Sequence, residues 1–80
     1  MGTNETVGRR VRVNLTLRGL STLELAEFLG ITRNAANRRL SGASAFSAAD
    51  LAAVAEWLDI PISDLFEPLP EQSVLIESVA

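Results

Sequence analysis

Between Thr32 and Gly42 the chain reads Arg33-Asn34-Ala35-Ala36-Asn37-Arg38-Arg39-Leu40-Ser41, crowding guanidinium and carboxamide groups into one short stretch. These groups do not break bonds. Arg donates from a planar fork, and the planar Asn amide donates at its nitrogen and accepts at its oxygen, so either side chain can hold two hydrogen bonds to a flat partner at once. On a helix Arg33 shares a face with Asn37, and Asn34 with Arg38. Arg39 lies roughly 100° around from Arg38, placed to reach aside or to cover the domain with its stem. Standing alone, such a set is most often a solvated polar face.

The chain has no Cys, His, Tyr or Lys. That removes thiol, imidazole and amine nucleophiles, soft-metal sites and disulfides. Only carboxylates and hydroxyls remain as catalysts. Glu24 and Glu27 form a helical pair without a suitable basic neighbour in sequence, and a capping role already explains Glu24. No enzyme, catalytic residue, metal, cofactor or small-molecule ligand is expected.

Charge is distributed unevenly. All seven basic residues (Arg9, Arg10, Arg12, Arg18, Arg33, Arg38, Arg39) precede residue 40, and up to residue 49 only Glu5, Glu24 and Glu27 oppose them, a net of +4. From Asp50 onward there are seven acids and no base, a net of −7. The formal total of −3 therefore conceals a segment suited to a polyanion.

Eighty residues allow one small domain, and a 48% apolar composition can build its core. Val7, Val11 and Leu15 recur every four residues ahead of Gly19, which predicts a first helix over about Thr6 to Arg18. The alternation Val11-Arg12-Val13-Asn14-Leu15-Thr16-Leu17 also fits a strand. Ser21-Thr22-Leu23-Glu24 has the form of a capping box that opens a second helix, which Gly30 ends. Thr32 caps a third over Arg33 to Leu40, closed by Gly42. Ser47-Ala48-Ala49-Asp50 repeats the capping pattern before the apolar line Leu51, Val54, Ala55 and Leu58, and Pro61 to Phe66 suits one more helical turn. The expected architecture is all-α, with four or five helices in a compact domain over residues 1–66 and a C-terminal tail over 67–80. Pro68 and Pro70 break any helix there, and Gln72 to Glu77 has the character of one β-strand, which is free, packs on its own domain, or pairs with another copy.

Leu20 to Gly42 thus reads helix, tight turn, helix. Leu25-Ala26, Gly30-Ile31-Thr32-Arg33, Arg39-Leu40-Ser41-Gly42 and Leu58-Asp59-Ile60-Pro61-Ile62-Ser63-Asp64-Leu65-Phe66 stand at the spacing of one family. Over about Val7 to Phe66 the chain resembles the Cro and phage-repressor type, the XRE-like helix-turn-helix proteins. Two positions depart from the pattern. Where many members pair an Arg on the first helix with an acid late in the third, this chain has Leu15 and Leu40, an apolar contact instead of an ion pair. The Gln that often opens the second helix is Thr22.

The resemblance implies a sequence-specific repressor of phage-immunity or Cro type that binds a double-stranded DNA operator, with the helix over 32–40 in the major groove. Its base-reading positions fall on Arg33, Asn34, Asn37 and Arg38. Arg suits guanine O6 and N7, and Asn suits adenine N6 and N7. Phosphate contacts are expected from Thr22, Thr32, Arg39, Ser41 and Ser44 and from the first-helix arginines, Arg9 and Arg10 foremost, which alternatively face solvent or pair with the acidic half.

Trp57 lies off the apolar line of its helix. It belongs either to the core or, with Leu69, Val74, Leu75 and Ile76, to a homodimer contact, since a single small domain loses affinity steeply with salt. An alternative function is an antitoxin-like or adaptor regulator acting through the acidic half and tail. No apolar run is long enough to span a bilayer and no export signal is evident, so a cytoplasmic location is expected. Glu77 to Ala80 is a frayed end or resembles a degradation tag.

Overall fold

The computed structural model describes residues 2–66, which form five helices: α1 (Thr3–Leu17), α2 (Thr22–Leu29), α3 (Arg33–Ser41), α4 (Ala48–Leu58) and α5 (Ser63–Phe66). There is no strand among the described residues. The tail over 67–80, with its candidate strand, Leu69, Val74, Leu75, Ile76 and the terminal residues, lies outside them.

α1 begins at Thr3, three residues earlier than its apolar spacing indicates. Gly2 is the N-cap, and its N–H donates to the Glu5 carboxylate at 3.2 Å, which satisfies one of the free donors of the first turn. The strand alternative is settled by burial. Val7, Val11 and Leu15 are buried, whereas Val13 and Leu17, which a strand would place with Val11 and Leu15, are 49% and 75% exposed. The period is four, not two.

Three helices end in the same way. The N–H of Leu20 reaches back to the Leu15 carbonyl at 2.9 Å, that of Ile31 to Ala26 at 3.0 Å, and that of Ile60 to Ala55 at 3.0 Å. Each bond spans a left-handed residue: Gly19, Gly30 or Asp59. This closure satisfies otherwise free carbonyls and turns an apolar residue onto the end of the helix it leaves. Leu20, Ile31 and Ile60 all pack against the core. The stop signals thus also place three core residues.

The N-termini are built from side chains. At α2, Ser21 Oγ accepts from Glu24 N–H at 3.1 Å while Glu24 accepts from Ser21 N–H at 2.9 Å, so the predicted box is complete. At α4, Ser47 Oγ accepts from Asp50 N–H at 3.0 Å, but the Asp50 carboxylate is engaged elsewhere.

Leu25, Ala36, Val54 and Leu65 form the fully buried centre together with Val11. Around it α1 packs on α3 and α5, and α2 packs on α3. Leu15 and Leu40, which the resemblance aligns with an ion pair of other members, are 3% and 4% exposed within this core. Phe46 is buried as well.

One crossing is unusually tight. A Cβ on Gly8 of α1 would lie 2.2 Å from the Leu40 carbonyl oxygen and 2.8 Å from that of Arg39, so α1 rests directly on the last carbonyls of α3. Gly42 mirrors it: its φ is +89°, and a Cβ there would lie 2.8 Å from Glu5 Cα. Glycine at both places lets the two backbones touch.

Candidate nucleic-acid interface

α3 has one face in the core and one in solvent. Ala36 and Leu40 are buried, and Ala35 and Arg39 are half-buried on the same side. Arg33, Asn34, Asn37, Arg38 and Ser41 are exposed. At 100° per residue these five cover a continuous arc of roughly 140°. The structure therefore brings all four predicted reading residues onto one open surface. α3 extends one residue beyond Leu40, which puts Ser41 on the same arc.

Local hydrogen bonds hold this helix at both ends. Thr32 Oγ1 accepts from Ala35 N–H at 3.0 Å, and Thr32 itself remains exposed. Thr22, the first residue of α2, is half-buried. At the far end the Arg38 carbonyl accepts from Ser44 N–H at 3.1 Å and from Ser41 Oγ at 3.0 Å, while Arg38 Nε donates to Ser44 Oγ at 3.3 Å. Arg38 and Ser44 thus clasp each other through main chain and side chain.

Arg39 is already engaged. Its Nη1 donates to Asp50 Oδ2 at 2.8 Å, with the two side chains 22% and 30% exposed. Lying on the flank away from the open arc, it pins the end of α3 to the first turn of α4. The carboxylate that would complete the α4 capping box serves this pair.

The first-helix arginines separate into three kinds. Arg9 and Arg12 are exposed and make no hydrogen bond among the described residues. Arg10 is half-buried, and its Nε is buried without a partner. Arg18, grouped by sequence with the phosphate candidates, is committed within the domain: Nε donates to the Leu58 carbonyl at 2.9 Å and Nη1 to Asn14 Oδ1 at 3.1 Å. It caps the C-terminus of α4, where a cation also complements the helix dipole.

Trp57 is half-buried and stacks on Phe28 of α2, with ring centroids 4.5 Å apart and planes 7° from parallel. Phe28 is 41% exposed, and the two rings line a shallow cleft with Ala53 and Glu56. Trp57 therefore has a partner within its own domain. The tail residues expected to join it in a homodimer lie outside the described residues.

Three features escape a reading of the sequence: Gly8, the Arg39–Asp50 bridge and the Phe28–Trp57 stack. Only Gly8 announces itself, as a glycine inside a helical pattern, where Gly costs about 1 kcal/mol relative to Ala and so asks for a packing reason. The others join residues far apart along the chain and leave no periodic trace.

Among the described residues no helix is long and apolar enough to cross a membrane. Residues 3–75 match the family model described as the BetR domain. Two curated relatives bearing the name uncharacterized HTH-type transcriptional regulator, from Sinorhizobium medicae (strain WSM419) and Rhizobium meliloti (strain 1021), are each 34% identical over 64 residues. The match takes in 80% of this chain and 46% of theirs, so the chain spans about half the length of the curated relatives it matches. Among solved structures, the crystal structure of the restriction-modification controller protein C.AhdI from Aeromonas hydrophila aligns with a TM-score of 0.69 and 31% identity, over 78% of this chain and 94% of that one. The all-α helix-turn-helix architecture is common to both.

Proposed function

The chain belongs to the BetR domain family, of XRE-like helix-turn-helix type, and from that membership we propose that it is a sequence-specific double-stranded DNA-binding transcription regulator. The observation that carries this reading is the open arc of Arg33, Asn34, Asn37 and Arg38, held out from the core by Ala36 and Leu40. In the major groove, Arg forks match guanine and Asn amides match adenine, each good pair contributing about 1–3 kcal/mol of discrimination. Thr22, Thr32 and Arg9 are the phosphate contacts of this reading, which set register without reading sequence, while the Ser41 hydroxyl donates to the Arg38 carbonyl and holds the end of α3.

Residues 1–66 form the DNA-binding unit, and residues 67–80 supply the contact for a homodimer. Two-fold pairing gives two α3 helices access to half-sites about one turn apart, roughly 34 Å. Repression is the expected sign, because a dimer seated on an operator at its own promoter occludes it, as in a phage repressor or Cro-type circuit.

The test is a footprint on the DNA flanking the gene, repeated over a salt series. A symmetric protected site whose affinity falls with slope about −0.9 per neutralised phosphate is the expected outcome. Absence of protection, or affinity indifferent to salt, overturns the reading. A reporter driven from the same promoter distinguishes repression from activation.

A further inference from the structure

Ser44 lies in the loop between α3 and α4, and by residue type alone its hydroxyl suggests a phosphate ligand. Its bonding gives it another task. Ser44 N–H donates to the Arg38 carbonyl at 3.1 Å, which fixes the loop main chain to the helix, and Ser44 Oγ accepts from Arg38 Nε at 3.3 Å. Ser41 Oγ donates to the same Arg38 carbonyl at 3.0 Å and accepts from Ala43 N–H at 3.4 Å. The loop is thereby tied to one residue of α3.

Resting on the DNA-binding reading above, we propose that Ser44 is a positioning residue that sets which base pair Arg38 reads. An Arg side chain has four rotatable bonds, so a free one loses rotamer entropy on docking. The bond to Nε takes the single donor on the inner edge of the guanidinium and leaves both terminal nitrogens in the plane that a guanine O6 and N7 require. The fork is oriented before DNA arrives, and less freedom is given up on binding. Ser44 Oγ accepts from Arg38 Nε and Ser44 N–H holds the Arg38 carbonyl, so both of its bonds act on Arg38, and through them Ser44 contributes to the identity of one base pair.

The two roles give opposite results on replacing Ser44 with Ala. If the hydroxyl touched phosphate, its removal would weaken binding to all duplexes alike. If it positions Arg38, its removal lowers preference at the single base pair facing Arg38, by about three- to tenfold on the scale of one solvent-exposed hydrogen bond. The experiment measures full-chain S44A, S44T, R38A and the S44A/R38A double variant on the preferred duplex and on duplexes changed one base pair at a time, with a salt series for each. Supporting results are loss of preference at one position in S44A, recovery in S44T, an unchanged salt slope, and no further effect of S44A once Arg38 is absent. Uniform weakening across duplexes, or an S44A effect that persists without Arg38, overturns the positioning role and leaves the DNA-binding reading standing. If the unaltered chain binds no duplex at low salt, both are overturned.

Discussion

Replacing Gly8 with Ala sets two energies of opposite sign against each other. Helix propensity alone favours Ala at an interior position by about 0.8–1 kcal/mol, so propensity without tertiary packing expects a more stable protein. The structure expects the reverse. The new methyl carbon would lie 2.2 Å from the Leu40 carbonyl oxygen, 2.7 Å from its carbon and 2.8 Å from the Arg39 oxygen. Ordinary van der Waals separation begins near 3.4 Å, so α1 must retreat from α3 by roughly 1 Å. Every obstructing atom is backbone, and no rotamer change relieves it. Overpacking of this kind costs about 1–3 kcal/mol, with the upper end apt for a rigid neighbour. Net of propensity, the loss is about 1–2 kcal/mol, which lowers Tm by roughly 5–15 °C in a domain of this size. Thermal unfolding followed by circular dichroism checks it. Because α1 carries the C-terminal half of α3, the variant should also weaken specific DNA binding more than its stability at the assay temperature explains. A Gly8→Ala protein as stable as the parent, or more so, would refute the close-crossing argument.

Other substitutions test the remaining parts. Arg33→Ala and Asn34→Ala should relax preference at particular base pairs by about 1–3 kcal/mol, whereas Arg9→Ala should weaken all duplexes alike and reduce the salt slope by about 1, measured on panels of single-base variants. Ser21→Ala and Thr32→Ala each remove an N-cap acceptor and should cost about 1 kcal/mol in urea unfolding, with Ser21→Ala also freeing Glu24. Leu25→Ala should cost about 2–5 kcal/mol because the side chain is wholly buried; a loss under 1 kcal/mol would mean the site collapses freely. Asp50→Asn releases Arg39, and a surface pair of this exposure should change stability by less than about 1 kcal/mol.

How far the fold can be read from the chain depends on how local its causes are. Caps, glycine stops and the four-residue period of Val7, Val11 and Leu15 act within one or two turns, and those elements lie where the sequence places them. The start of α1 departs from the apolar spacing because Glu5, not an apolar residue, closes its first turn onto Gly2. The exposed arc of α3 follows from helical spacing once Ala36 and Leu40 are assigned inward. Electrostatic partners are another matter. By residue type Arg18 and Arg39 suit phosphate, and within the domain Arg18 also meets a carbonyl 40 residues away and Arg39 a carboxylate 11 residues away. Arginine has several chemically equivalent uses, and only the fold chooses among them.

The stacking of Trp57 on Phe28 gives the molecule an optical probe of its own. The chain holds one Trp and no Tyr, so its intrinsic fluorescence comes essentially from that single indole. The ring, carried by α4, lies against Phe28 of α2, and any event that separates the two helices strips away its neighbour and admits water, shifting emission to the red. Opening of the helix-turn-helix away from α4 can therefore be followed in the unlabelled protein, free or with DNA, and compared in real time with the loss of helix itself.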